Sequence, residues 1–313
     1  MKICLIGCSG HYGRAVAEMK LCPQAQLIAA APGSSHEDVG RFTNYNIPIY
    51  EDYREMLDQC KPDVAIVAPV FGLTGQIIME CAKRGVDVFS DKPVAGTLSE
   101  LAQVERSVAE SGIHFSAMHF LRFTPSFYHA RRMIAEGGIG DVQMLTAQKS
   151  YKYGTRPDWY RDRTLYTGTI PWIGIHAIDW IYYFAQKPFC AVSAVQTGTP
   201  EKAALCQFRM ADGVIAAANI DYLRPGAAPT HGDDRIRVAG TKGVAEVFED
   251  HYTVIDSDGV KEYRPTEAPK LAYDFLMHRE EITPQEIFML TKIALLAREA
   301  ADTGRWIETE AVL

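Results

Sequence analysis

The sequence lacks an apolar run long enough to cross a bilayer, a Cys-x-x-Cys pair, a low-complexity tract, an internal repeat and any excess of positive charge. Each absence removes a class of protein. A spanning helix needs about 20 consecutive apolar residues, so a soluble chain is expected, with no membrane partner. The seven cysteines, Cys4, Cys8, Cys22, Cys60, Cys81, Cys190 and Cys206, are scattered and odd in number. That pattern suits small buried thiols in a reducing cytoplasm rather than a disulfide framework or a zinc site, and no metal is expected. Lys and Arg number 32 against 39 Asp and Glu, a formal net charge of −7. Nucleic-acid binders carry a basic footprint, so no such partner is expected. A strand pattern begins at Lys2 with no signal-peptide core ahead of it, which points to a cytoplasmic protein.

What is present is an alternation of strand and helix patterns. Ile3–Ile6 reads as a buried strand, followed by the turn Gly7-Cys8-Ser9-Gly10-His11-Tyr12-Gly13 and a helix pattern through Ala15, Val16 and Met19 that stops before Pro23. Strand, glycine turn and helix in that order are the context a dinucleotide fingerprint needs. Gly7 would make the tight turn, Gly10 would let the backbone approach a pyrophosphate, and Gly13 would permit close helix packing. The same residues also read as a glycine-rich turn without a ligand. A second strand, Gln26–Ala31, runs into Pro32-Gly33-Ser34-Ser35, and the next acids are Glu37 and Asp38. An acid at that strand end normally bonds the adenosine ribose. Without one, Ser34, Ser35 or Arg41 is available to a 2′-phosphate, which favours NADP; alternatively the serines cap the next helix.

The alternation continues with a helix near Asp52–Gln59, a strand at Asp63–Ala68, a loop at Pro69–Gly72 and a helix at Thr74–Arg84 stopped by Gly85. A strand at Val86–Phe89, a helix at Ser99–Ser111 and a strand at His114–Met118 follow. This order predicts a doubly wound parallel sheet, whose ligands bind outside the carboxyl ends of the strands. The strand Val86–Phe89 runs into Asp91-Lys92-Pro93, placing a lysine at such an end. On its own, Lys92 reads equally as a catalytic group and as a solvated loop residue.

The second half carries the segments Leu121-Arg122-Phe123-Thr124-Pro125, Gly137-Gly138-Ile139-Gly140 and Arg156-Pro157-Asp158-Trp159-Tyr160. Between Lys149 and Arg163, basic residues interleave with aromatics, read as a loop over a polar ligand or as a solvated rim. From Trp172, behind Pro171, a helix pattern sets Trp172, His176, Trp180 and Tyr183 on one face, with Asp179 three residues after His176. Strands at Ala191–Val195, Ala203–Met210, Val214–Tyr222, Asp234–Ala239 and Val244–Phe248 predict a meandering sheet. His231 falls in a loop between them, and Pro284–Thr303 reads as an amphipathic helix ending at Gly304.

Taken in order, these motifs resemble the Gfo/Idh/MocA oxidoreductases, named for glucose-fructose oxidoreductase and inositol dehydrogenase. Asp91-Lys92-Pro93 resembles the family's Glu-Lys-Pro motif, Arg122-Phe123-Thr124-Pro125 its R-F-x-P helix start, Arg235–Gly243 its strand and turn, and the segment to Asp179 its histidine helix. The resemblance implies an α/β protein with two domains. These are a Rossmann domain over 1–118 and a substrate and oligomerisation domain over 119–313, built on a large, mostly antiparallel open sheet. It implies Lys92 and His176 as catalytic residues, and NAD or NADP bound by Gly7, Ser9, Gly10, His11, Tyr12, Gly13, Ser34, Pro69, Asp91 and Lys92. Substrate contacts are expected from Lys92, Arg122, Tyr160, Trp172 and His176, and a homodimer or tetramer is implied. The activity implied is hydride transfer between nicotinamide and a secondary alcohol of a sugar or polyol. Two departures stand out: Trp172 replaces the family's aspartate four residues before the histidine, and Thr74 stands where many members have histidine. A redox-assisted bond-cleaving enzyme and a nonenzymatic sugar sensor remain alternatives.

Overall fold

Five short apolar segments build the first sheet of the computed structural model, which describes residues 1–198 and 201–309. They are β1 (Lys2–Ile6), β2 (Gln26–Ala31), β3 (Val64–Val67), β4 (Asp87–Ser90) and β5 (Phe115–Ala117), paired in the order β2-β1-β3-β4-β5, all parallel. Cys4-Leu5-Ile6 and Val64–Val67 are buried throughout, as strands covered on both faces must be. The crossovers carry α1 (Tyr12–Met19), α2 (Tyr53–Cys60), α3 (Thr74–Ala82) and α4 (Leu98–Ser111). Local chemistry sets their starts: the Asp52 carboxylate accepts from the N–H groups of Arg54 and Glu55, and the Thr97 hydroxyl from that of Glu100. The chain leaves β1 for β2 on one side and returns to β3 on the other. The crevice beyond the ends of β1 and β3 is therefore the topological switch point where ligands bind in such sheets.

The remaining elements are α5 (Pro125–Ala135), β6 (Val142–Lys152), α6 (Arg163–Tyr166), α7 (Ile175–Ala185), β7 (Phe189–Gln196), β8 (Ala203–Met210) and β9 (Ile215–Arg224). After them come β10 (Gly232–Gly240), β11 (Gly243–Phe248), β12 (Tyr252–Asp256), β13 (Gly259–Tyr263), α8 (Leu271–Leu276), α9 (Pro284–Thr303) and β14 (Ile307–Glu308). Nine strands pair in the order β13-β12-β11-β10-β6-β9-β8-β7-β14. Every pair is antiparallel except β6 with β9. In β8, Ala204, Cys206, Phe208 and Met210 are buried and alternate with Leu205, Gln207 and Arg209, the pattern of a sheet covered on one face. The helix α7 lies on β6 and β9.

Two sequence expectations change here. The sheet is not a meander, because β6 inserts between β9 and β10 from far earlier in the chain. Lys149 and Tyr151 lie on β6 rather than in a loop. His231, in the expected loop, is tied to the sheet, its carbonyl accepting from the Lys152 N–H and its ring 4.8 Å from that of Tyr151.

The chain forms two compact units. The first comprises residues 1–118, 162–167 and 270–292; the second comprises 119–161, 168–269 and the chain after 292, as far as the described residues reach. Thus α6 and α8 return to the first unit, where Glu18 of α1 accepts from the N–H of Ala272 in α8. Among the described residues, no helix is long and apolar enough to cross a membrane.

Candidate active site

The turn after β1 is held to the strand ends beside it. The Gly7 N–H donates to the Ala31 carbonyl and the Ser9 N–H to that of Ala68, both at 2.9 Å. Gly7 has φ +82°, and a Cβ there would sit 2.4 Å from the Pro69 Cα, so both conformation and space demand glycine. Gly13 has a different reason from the one its spacing suggests. A Cβ at Gly13 meets nothing within 4 Å, so close helix packing does not explain it. The residue leaves open space at the start of α1, where the His11 side chain makes no cap. Open space at a helix start, at the switch point, fits a dinucleotide's pyrophosphate.

Asp91 fastens this turn to the lysine. Its Oδ2 accepts from the His11 N–H at 2.6 Å, while its Oδ1 accepts from the Lys92 N–H at 2.9 Å and lies 3.0 Å from His11 Nδ1. Burial alone would raise the Asp91 carboxyl, but His11 and Lys92 outweigh it and hold the group below its ordinary value. Both oxygens are thereby engaged within the protein, one of them by the Lys92 backbone. Lys92 is only 1% exposed.

The end of β2 is not free of carboxylate. Glu37 folds back so that its Oε2 accepts from the N–H groups of Gly33 and Ser34, and its Oε1 from the Cys8 N–H. A carboxylate thus stands near the end of β2, brought there from six residues beyond the strand. Ser34 does not cap the short 3₁₀ helix that follows, Val39–Tyr45; Asp38 does, accepting from the Gly40 N–H.

In the second unit, His176 lies in the first turn of α7 and is buried. A π-helical turn, Ile170–Gly174, precedes it, so Trp172 and His176 are not on one continuous α-helical face as the spacing predicts. Such turns recur at functional sites. Asp179 is committed elsewhere than to His176. It accepts from Arg122 through Nη2 and, at 3.1 Å, Nε, and its Oδ2 lies 3.2 Å from His119 Nδ1. Burial would raise its carboxyl, yet Arg122 and His119 hold it low. Arg122 is itself 1% exposed and stacks 4.8 Å from the Tyr183 ring centroid. Its guanidinium faces the Asp179 carboxylate inside the second unit. Tyr160 packs against Trp159 and under Arg156, which also covers Tyr222. Trp172 is almost wholly buried.

One further cluster carries no signature in the sequence. Lys149, fully buried, donates to Asp234 at 2.5 Å and to the Tyr151 hydroxyl at 2.7 Å, 5.3 Å from the Trp180 ring. Burial pushes the Asp234 carboxyl up against the pull of Lys149. His119, Asp234 and Glu37 were missed because their partners are distant in the chain or lie outside the expected strand end.

A parallel nucleotide-binding sheet with a buried lysine at a strand end, in a chain whose second unit carries a buried histidine on a helix, defines a dinucleotide-dependent oxidoreductase class. Comparison with known proteins makes this specific. Residues 1–119 match the oxidoreductase family model with an NAD-binding Rossmann fold, and residues 127–246 match the GFO/IDH/MocA C-terminal domain. A Thermotoga maritima protein assigned as an oxidoreductase is 37% identical, with TM-score 0.94, covering 99% of this chain and 100% of its own. The chain belongs to the Gfo/Idh/MocA oxidoreductase family. A Bacillus subtilis scyllo-inositol 2-dehydrogenase (NADP(+)) is 29% identical over 141 residues, 45% of this chain and 39% of that protein. The fold is shared with a levoglucosan dehydrogenase solved with NADH and levoglucosan: TM-score 0.86, 18% identity, covering 98% of this chain and 99% of that one.

Proposed function

We propose that the protein is an NAD(P)-dependent dehydrogenase acting on a secondary alcohol, or the matching carbonyl, of a sugar, polyol or related small molecule. Residues 1–118 bind the dinucleotide and 119–313 the substrate. A dinucleotide held at the Gly7–Gly13 turn would supply the hydride acceptor or donor. Lys92 hydrogen-bonds the reacting oxygen and stabilises the negative charge that develops on it. His176 takes the hydroxyl proton during oxidation and returns it during reduction. Trp172 and Tyr160 offer apolar faces to the C–H side of the substrate, and Arg122 supports α7 through Asp179. The observation that carries this reading is the Asp91 clamp, which joins the nucleotide turn to Lys92 through His11. A bystander lysine on a solvated loop needs no such clamp. The inositol and levoglucosan dehydrogenases among the relatives support the substrate class.

The same reading makes the protein a cytoplasmic homo-oligomer, a dimer or tetramer. Val195, Leu205, Ile215 and Leu223, each more than half exposed on β7–β9, form the apolar sheet face that a second copy covers.

The test is a panel of sugars and polyols with both dinucleotides, following reduced-nicotinamide absorbance. Lys92→Ala and His176→Ala should each lower kcat by about 10²-fold or more, the usual worth of an acid–base group, with cofactor binding nearly intact. Absence of turnover across the panel, or wild-type turnover in either variant, overturns the reading. Turnover without net nicotinamide reduction assigns redox-assisted bond cleavage instead.

A further inference from the structure

We infer that Glu37 selects the dinucleotide, accepting the adenosine ribose hydroxyls and rejecting a 2′-phosphate, so that the protein uses NAD. The inference rests on the dinucleotide function proposed above and names the group that decides its cofactor.

In a Rossmann sheet the ribose-binding acid normally ends the second strand. Here β2 ends at Ala31, and the chain turns through Pro32 and Gly33 before bringing Glu37 back to that place. Four donors converge on its carboxylate. Oε2 accepts from the N–H groups of Gly33 at 2.5 Å and Ser34 at 3.1 Å. Oε1 accepts from the Cys8 N–H at 3.0 Å and the Ser9 hydroxyl at 3.3 Å. Three of these donors are backbone groups from two different loops, so they fix the carboxylate between the glycine turn and the end of β2. The fourth is a long bond from a rotatable hydroxyl, and a ribose hydroxyl can replace it without moving the backbone. Glu37 remains partly exposed, so that edge is reachable.

A 2′-phosphate would meet the same site badly. The backbone donors it needs are already satisfied by a carboxylate, and two like charges would face each other at contact distance. Burial pushes the Glu37 carboxyl up, but the N–H groups of Cys8, Gly33 and Ser34 favour its charged form. The nearby cation able to argue the other way is Arg41, whose Nη1 donates to the Cys8 carbonyl at 3.2 Å. Glu37 and Arg41 therefore make opposite predictions about the cofactor.

The experiment measures NADH and NADPH dissociation constants by nicotinamide fluorescence, with no substrate present, in the wild type, Glu37→Gln and Arg41→Ala. The wild type should bind NADH more tightly by about tenfold or more, a modest ratio for one like-charge contact near a protein surface. Glu37→Gln should collapse that ratio, and Arg41→Ala should leave it intact. In the unmodified protein, where folding is not in question, 5′-AMP should displace NADH better than adenosine 2′,5′-bisphosphate does. NADPH preference in the wild type, an unchanged ratio in a folded Glu37→Gln, or better displacement by the bisphosphate overturns the assignment. If neither dinucleotide binds, the proposed function fails and this inference falls with it, an outcome distinct from binding without discrimination.

Discussion

Replacing Asp179 by Asn removes one charge from a cluster buried away from bulk solvent. Asp179 and Arg122 are each no more than 1% exposed, and the carboxylate takes Arg122 on two nitrogens and His119 on a third. The substitution conserves volume but leaves the guanidinium buried without its counter-charge. Breaking a buried pair from one side costs about 3–5 kcal/mol. For a unit of about 150–250 residues each kcal/mol shifts the melting temperature by roughly 2–4 °C, so the drop should be roughly 6–20 °C. Circular dichroism melts at pH 7 measure it. Replacing both partners with apolar residues, Asp179→Leu with Arg122→Met, should recover much of the loss, because the desolvation cost disappears with the charges. The pH dependence has a definite sign. The folded-state pKa is depressed, so the pair's stabilisation is fully present above the unfolded carboxyl value of about 3.9 and fades as pH falls through the folded value. The gap between wild type and Asp179→Asn should therefore be constant near neutrality and close below about pH 4. A variant melting within about 1 °C of wild type, well under the expected shift, would refute the argument, as would a double replacement no better than the single one.

Other consequences are as direct. Gly7→Ala should lose at least about 1–3 kcal/mol of stability, from a positive φ and a clash with the Pro69 backbone, and should abolish NADH binding. Gly13→Ala should instead stabilise α1 by about 0.5–1 kcal/mol while weakening NADH, because its Cβ enters the nucleotide space; a variant that binds NADH normally would remove Gly13 from the site. Burial raises the thiols of Cys4, Cys8, Cys81 and Cys206 to about 12, so at pH 8 a disulfide reagent should react first with the half-buried Cys60 and Cys190. Fast labelling of Cys81 or Cys206 in the folded protein would show that those interiors open.

Much of the architecture was legible along the chain. Strands β2 and β8 and helix α9 appear at the boundaries their hydrophobic periodicity predicts, because burial on one or two faces writes a period of 2 or 3.6 directly into the residues. The order of the glycine turn, Asp91-Lys92-Pro93 and the His176 segment likewise sufficed to identify the family. Less of the site itself could be read. Trp172 and His176 have α-helical spacing, but a π-helical turn separates them, and no residue pattern marks where such a turn forms.

The rest depends on pairings that no local window contains. Asp179 reads locally as a partner for His176, yet its partners Arg122 and His119 are 57 and 60 residues away. Lys149 looks like part of a basic rim, but Asp234, 85 residues on, draws it into the interior once β6 pairs with β10. Glu37 seems too far past β2 to matter until the loop folds back onto Gly33 and Cys8. The sequence alone determined the elements and the catalytic candidates, because backbone period and motif order are properties of neighbouring residues. Only the tertiary structure decided where β6 enters the sheet and which charges neutralise one another. A buried charge is stabilised by whatever the fold brings within about 3 Å of it, not by what stands beside it in the chain.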